Sequence, residues 1–296
     1  MLNIKIILLL LFLFSSCSQE SDYLFDINSS IFNSSLNFKG EEETLDIITW
    51  NIQNYTKNNL TNFHITQILD SLNVDIVALQ EIEKQTAFSE LTESLGNNWF
   101  SYRSGTANSE YGELAFLINT AEVEIVTSPY TILDDYQYEF SYREPLVVEC
   151  NYNNELLILI NIHYKCCSGH EDRRLVASNL LYEYINNNYV NDRVVILGDF
   201  NDVLTDVVNN VFIPFISDND NYYFADYQIA VSSNQSWSYP SWPSHIDHIL
   251  VTNELFNNIY DVQTILIDHS LEGGYGTYYS YISDHRPVGI KLLFSP

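Results

Sequence analysis

From Thr44 to the C-terminus, apolar residues come in short blocks whose spacing alternates between strand and helix periods. Residues 45–50 form an apolar run of strand length, and residues 75–79 form another. Between them, Ile65, Ile68, Leu69 and Leu72 recur at i, i+3, i+4 and i+7, which predicts a helix over residues 64–72. A second helical spacing covers residues 88–95, and a third covers residues 171–184. Strand-like runs occupy residues 113–118, 123–126, 146–150 and 156–163, followed by 194–197, 246–251, 262–267 and 288–294. The turn signal Asn151-Tyr152-Asn153-Asn154 predicts a hairpin between residues 146–150 and 156–163. Helices interrupting a strand-rich chain predict an α/β fold in which two packed sheets carry helices outside. No internal repeat is visible, so residues 44–296 are read as one domain.

The first residues follow a different pattern. Lys5 precedes an apolar run over residues 6–14, which is followed by Ser15-Ser16-Cys17. A charge, a short apolar stretch and small residues describe an export signal, assigned to residues 1–16. A cysteine at that point resembles the bacterial lipoprotein signal, which implies a lipidated Cys17 and attachment to a bacterial membrane on its periplasmic or outer side. An ordinary cleaved signal and an uncleaved anchor are the alternatives. Residues 17–43 are rich in Ser, Asn, Asp and Glu with aperiodic Phe and Ile, and are read as a polar tether. Their apolar residues leave open an added edge strand. No later stretch is long and apolar enough to span a bilayer.

Charge narrows the partners. Lys and Arg number 12 against 39 Asp and Glu, a net of 12 − 39 = −27. That balance argues against a general nucleic-acid coat or a binder of anionic membranes, though a few clustered cations still suffice to hold one phosphate. Six cations, Arg103, Arg143, Lys165, Arg173, Arg174 and Arg286, lie near the polar strand ends described next. They form either a local phosphate pocket or pairs with nearby acids such as Glu144, Glu171 and Asp172. No protein partner is inferred, and the chain is read as a monomer.

Candidate chemistry sits where apolar runs end. Thr49-Trp50-Asn51, Leu79-Gln80-Glu81, Asn161-Ile162-His163, Gly198-Asp199-Phe200-Asn201 and Ser283-Asp284-His285 each place polar groups just beyond a strand, and Ser244-His245-Ile246-Asp247-His248 opens one. Any of these alone is more often a turn former, cap or core histidine. Strand ends on one sheet edge converge, so the six together suggest one site. Glu81, Asp284 and Asn51 offer hard oxygens that suit Mg²⁺, with Mn²⁺ as an alternative. Asp199 and Asn201 are placed to orient and deprotonate a water, and His163 and His285 to contact phosphate oxygens, the set that phosphoester hydrolysis needs. A structural calcium site would not require the two histidines.

In this order, Trp50-Asn51, Gln80-Glu81, Asn161-Ile162-His163, Gly198-Asp199-Phe200-Asn201, Ile246-Asp247-His248 and Ser283-Asp284-His285-Arg286-Pro287-Val288 resemble the endonuclease/exonuclease/phosphatase superfamily. The resemblance implies a four-layer α/β sandwich of two mostly antiparallel, mixed sheets and metal-dependent phosphoester hydrolysis. Arg143-Glu144-Pro145 and Glu113-Leu114-Ala115-Phe116 resemble segments of the deoxyribonuclease I branch. The implied roles are Glu81, Asn51 and Asp284 as metal ligands, Glu113 orienting His163, Asp247 orienting His285, and Arg143 and Tyr111 contacting substrate. Two positions depart from that branch: Gln53 and Glu83 stand where it has basic residues, which weakens a grip on duplex phosphates.

Three functions follow in order. The first is an exported endonuclease. The second is a phosphodiesterase or phosphatase for lipid headgroups or other small phosphoesters. The third is a binding protein with a silent site, which nothing in the residues supports. Two motifs stay unassigned. Lys165-Cys166-Cys167-Ser168-Gly169-His170 follows His163 closely, with a vicinal disulfide or a pairing with Cys150 both open. Trp237-Ser238-Tyr239-Pro240-Ser241-Trp242-Pro243 leads into the Asp247 strand and fits base stacking, lipid contact or core cover.

Overall fold

The computed structural model describes residues 31–105 and 112–294. The signal, Cys17 and Tyr111 therefore lie outside the described residues. The strands run in chain order as β1 (Thr44–Tyr55), β2 (Ile76–Ile82), β3 (Trp99–Arg103), β4 (Glu113–Asn119), β5 (Glu124–Ile125) and β6 (Tyr130–Thr131). They continue as β7 (Leu146–Tyr152), β8 (Glu155–His163), β9 (Arg193–Asp199), β10 (Tyr222–Phe224), β11 (Asp247–Thr252), β12 (Ile259–Thr264) and β13 (Val288–Leu293). The principal helices are α1 (Thr61–Leu72), α2 (Gln85–Leu95) and α3 (Glu171–Asn188). One sheet has the order β12-β13-β1-β2-β4-β3, and the other β10-β11-β9-β8-β7-β5 with β6 beside β7.

Each sheet contains one parallel pair, β1 with β2 and β8 with β9. Parallel neighbours need a crossover, supplied by α1 in the first sheet and α3 in the second. Every other pairing is antiparallel. The expected hairpin closes at Asn153 and Asn154, both at positive φ (51° and 66°), the geometry of a two-residue turn matched to strand twist.

Both faces of each sheet are covered, which is why the strands read as nearly continuous apolar runs. In β1, Leu45 and Ile47 join the core between the sheets, while Ile48 and Trp50 face the layer that holds Ile65 and Leu69 of α1. The second sheet's outer face packs Ile160, Val194 and Ile196 against Ala177, Leu181 and Ile185 of α3. This is the expected α/β sandwich of two mixed sheets with helices outside. Gly198 is required by packing: a Cβ there would lie 2.0 Å from the Ile162 carbonyl oxygen of β8.

Residues 31–43, expected as the end of a tether, lie on the domain. Phe38 is buried against Gly289 of β13, Phe32 bridges Leu271, and the Asn37 side chain bonds the Thr264 carbonyl at 2.9 Å. Aperiodic apolar residues can cap a sheet face without forming a strand, so the pattern gave no period to read. Several further elements escape prediction, among them β3 and one helix. Strand β3 is a short sheet edge, and the helix Gly274–Tyr281 begins with glycine and carries four tyrosines, a composition with little helix signal. No helix among the described residues is long and apolar enough to cross a membrane.

Candidate active site

Four of the predicted residues lie at the C-terminal ends of the two parallel strand pairs. Asn51 and Glu81 come from β1 and β2, and His163 and Asp199, register partners, from β8 and β9. Open α/β sheets commonly bind ligands at this edge. The ends of β1 and β2 are irregular, with register shifts between Asn51 and Tyr55 and between Leu79 and Ile82. Gln53, Asn54 and Glu81 all hold positive φ (32°, 47° and 63°). Such backbone is strained for residues with a Cβ and re-aims side chains at strand ends. A buried amide pair ties the two sheets behind it: Gln80 donates to Asn161 Oδ1 at 2.8 Å, and Asn161 donates to the Leu79 and Ala115 carbonyls.

Asp199 is the hub. Its Oδ2 accepts from Asn51 Nδ2 at 3.0 Å and faces His163 Nε2 at 3.5 Å and His285 Nε2 at 3.9 Å. Its Oδ1 accepts the Asn201 backbone N–H at 2.9 Å. Asp247, paired with Asp199 across β11 and β9, holds His285 Nδ1 at 2.8 Å. Burial and the Asp247 charge push the Asp199 carboxyl up to about 7. Burial opposes charge on His285, but Asp247, Asp199 and Asp284 outweigh it and raise its pKa to about 10, so it is an imidazolium. His163 goes the other way: burial, Arg143, His285 and Lys165 hold it well below the usual range, so it is neutral. The two histidines therefore differ in charge.

Three of the expected residues have local partners that residue order did not suggest. Glu113 does not orient His163; its Oε2 accepts from Ser104 Oγ at 2.9 Å, and His163 Nδ1 is buried without a partner among the described residues. Asn51 presents nitrogen, not oxygen, to the acids. Its Oδ1 accepts the Gln53 backbone N–H at 3.0 Å, which fixes the amide, and its Nδ2 bridges Glu81 Oε1 and Asp199 Oδ2. The Asn201 side chain is tied to the Tyr164 carbonyl at 3.2 Å, so it steadies the loop beside Asp199. Each outcome depends on local backbone geometry that residue order does not encode.

Of the six expected cations, three are structural. Arg286 grips Asp268 through two bonds of 2.9 and 2.7 Å, Arg174 bonds Asp202 at 2.8 Å, and Arg103 donates to the Ile82 and Glu83 carbonyls. Arg173 stacks on the Tyr138 ring. Arg143 and Lys165 remain beside His163, with Arg143 reaching the Tyr164 carbonyl at 3.2 Å. Lys57 was missed: it contacts Gln53 Oε1, and Gln53 Nε2 in turn donates to Asp284 Oδ2 at 2.7 Å. Cys166 and Cys167 are free thiols near this rim, and Cys150 is buried in the core between the sheets.

The donors fit a hard cation at one end of the cluster. Asp284 Oδ1 is buried without a hydrogen-bond partner among the described residues, burial and the Glu81 charge raise the Asp284 pKa, and each Glu81 oxygen accepts a single N–H. Unsatisfied carboxylate oxygens suit Mg²⁺ or Mn²⁺. Two groups bring three potential ligand atoms within 4.8 Å of one another, Asp199–Asp247–His285 and Asp226–His245–His248. The second is closed by hydrogen bonds. His248 donates from Nδ1 to Asp226 at 2.6 Å and from Nε2 to the Asp202 carbonyl at 2.9 Å, and His245 bonds Asp226 at 3.0 Å while accepting the Ser238 N–H. Burial opposes both charges, yet the pairing raises His248 and depresses Asp226. His245, by contrast, is held neutral chiefly by burial.

A double-sheet sandwich with an acid–imidazole cluster at its strand ends has the parts of a hydrolytic site. The family model described as "Endonuclease/Exonuclease/phosphatase family" matches residues 48–285, and the chain belongs to that family. No curated protein sequence matches it. Among solved structures it is similar to TDP2 from D. rerio in complex with single strand DNA product, at 14% identity and TM-score 0.68, covering 86% of this chain and 100% of that one. It is also similar to the 3′ phosphatase NExo from Neisseria bound to product DNA hairpin, at 18% identity and TM-score 0.62, covering 84% and 100%. The human nocturnin catalytic domain with bound sulfate matches at 15% identity and TM-score 0.61, covering 88% and 98%. At these identities the likeness shows the fold alone.

Proposed function

We propose that the protein is an exported, metal-dependent phosphodiesterase whose substrate is nucleic acid. The observation that carries this reading is the convergence of His163, His285 and Asn51 on Asp199 Oδ2, with Asp247 behind His285. In it, the water oxygen bonds phosphorus while Asp199 takes the water's proton, as its raised pKa favours. The P–O bond to the leaving group breaks, and the leaving oxygen takes a proton from solvent. His285 donates its Nε2–H to a phosphate oxygen, and Asp247 keeps that imidazole charged and oriented. Neutral His163 hydrogen-bonds the phosphate on the side of Arg143 and Lys165. Glu81 and Asp284 would hold Mg²⁺ or Mn²⁺, which neutralises charge on the phosphate when bound.

The similar structures bound to DNA support a nucleic-acid substrate, as do Arg143 and, from the sequence, Tyr111. Gln53 and Glu83 favour the second reading, a small phosphoester such as a lipid headgroup. The test is nicking of supercoiled plasmid with Mg²⁺, with EDTA as control. Nicking that EDTA abolishes and Asp199→Asn loses supports the nuclease. Intact plasmid alongside metal-dependent cleavage of small phosphodiesters would replace it with the second reading. Export and lipidation at Cys17 belong to the same proposal. Cys17→Ala should move the protein from the membrane to the soluble fraction, and an unchanged distribution would refute the anchor.

A further inference from the structure

Beside the catalytic cluster, an open cleft of about 510 Å³ is walled by Gln53, Asn54, Lys57 and Tyr279, and neither the hydrolytic residues nor the family match assigns it. Its inner end is Gln53, whose amide nitrogen holds Asp284 Oδ2 and whose oxygen holds the Lys57 ammonium. One side chain thus separates Lys57 from the reaction centre. Lys57 also bonds the Tyr279 carbonyl and lies 4.2 Å from the centre of the Tyr279 ring. An ammonium has three N–H donors, so one is left for a ligand oxygen beyond these two acceptors. Tyr279 is 46% exposed.

The aromatic surface continues toward the histidines. Tyr275 lies 6.0 Å from Tyr279, its hydroxyl bonds Ser241 of the loop over residues 237–243, and Tyr239 of that loop packs on His285 at 4.6 Å. Burial raises the hydroxyl pKa of both Tyr239 and Tyr275, and the Asp284 charge adds to it in each. A row of tyrosines ending in a lysine, which Gln53 separates from Asp284, offers alternating ring faces and a cation, as a polynucleotide offers alternating bases and phosphates. Stacking needs a base face that is free, and duplex bases have theirs covered by neighbours. Gln53 and Glu83 place a neutral amide and a carboxylate, not cations, near Glu81, which weakens a grip on duplex phosphates.

We propose that Tyr275, Tyr279 and Lys57 form a subsite for an unpaired nucleotide flanking the scissile phosphate, so that the enzyme prefers single-stranded nucleic acid. This rests on the phosphodiesterase reading above. The test compares kcat/KM of the purified protein on a single-stranded oligonucleotide, on the same sequence as blunt duplex, and on bis(p-nitrophenyl) phosphate, which offers no flanking nucleotide. Single strand should exceed duplex at least tenfold. Tyr279→Ala should lower the ratio of oligonucleotide to bis(p-nitrophenyl) phosphate rates by about tenfold, the scale of one lost base stack. Lys57→Gln should lower it by a smaller factor, and Tyr279→Phe should restore it. Equal rates on duplex and single strand, or ratios within twofold of wild type in both variants, would overturn the subsite and leave the hydrolase intact. No hydrolysis of any of the three would overturn both.

Discussion

Replacing Asp226 with asparagine should destabilise the fold by about 3–5 kcal/mol, the scale for breaking a buried ion pair by removing one partner. Asp226 is fully buried and accepts from His248 Nδ1, His245 Nε2 and the Ile249 backbone N–H at 2.6, 3.0 and 2.8 Å. Both nitrogens of His248 must donate, since the second faces the Asp202 carbonyl, so His248 is charged and Asp226 is its counter-ion. Asparagine removes that charge and turns an N–H₂ toward groups that can only donate. Total stabilities of about 5–15 kcal/mol make this a large fraction. The dependence on pH has a defined sign. His248 is raised, so its contribution is full below about pH 6.5 and is lost as pH rises through its folded value; Asp226 is depressed, so its contribution is full above about pH 4 and is lost as pH falls. The difference between wild type and variant in urea unfolding, followed by tryptophan fluorescence, should therefore be largest between about pH 4 and 6.5. A difference below about 1 kcal/mol throughout would refute the ion pair. A stoichiometric transition metal in the wild type that the variant lacks would show instead that these residues ligate it.

Three further outcomes follow from separate parts of the molecule. Asp247→Asn should slow hydrolysis about 100-fold, whereas Glu113→Gln, whose carboxylate bonds Ser104 rather than His163, should slow it less than tenfold; equal losses would restore Glu113 as the orienting acid. Asp75 is pushed up to about 7 by burial, with Asp46 and Glu122 adding to the effect, so wild-type stability should fall as pH rises from about 4 to 7, and Asp75→Asn should gain about 2–4 kcal/mol at pH 8 with little gain at pH 4, as read by urea melts at both values. Phe38→Ala should cost about 3–5 kcal/mol in the same melts, because Phe38 is buried against Gly289 and Ile48; a loss under 1 kcal/mol would return residues 31–43 to the tether.

What the sequence disclosed and what it hid divide along a physical line. Strand periods and the polar residue that ends each apolar run depend on neighbours in the chain, so Asn51, Glu81, His163, Asp199, Asp284 and His285 were legible as one edge. The βαβ crossovers through α1 and α3 bring the first four to equivalent strand ends without any residue naming its partner. Groups whose roles come from distant partners left no such mark. Asp226 meets histidines 19 and 22 residues away, and Lys57 reaches Tyr279 across 222 residues on a helix without a helical pattern. Side-chain direction was equally hidden. The Gln53 backbone N–H takes the Asn51 oxygen and leaves its nitrogen toward the acids, which joins Glu81 to Asp199 through one amide. In the proposed mechanism that bridge would couple the end of the cluster that holds the metal to the proton acceptor. Gln53 extends the chain outward, from Asp284 to Lys57, so with a neutral amide at position 53 the cation lies one side chain away from Asp284. On the proposed nucleic-acid reading, a cation at that distance and set against an aromatic ring suits the neighbouring nucleotide better than the scissile group.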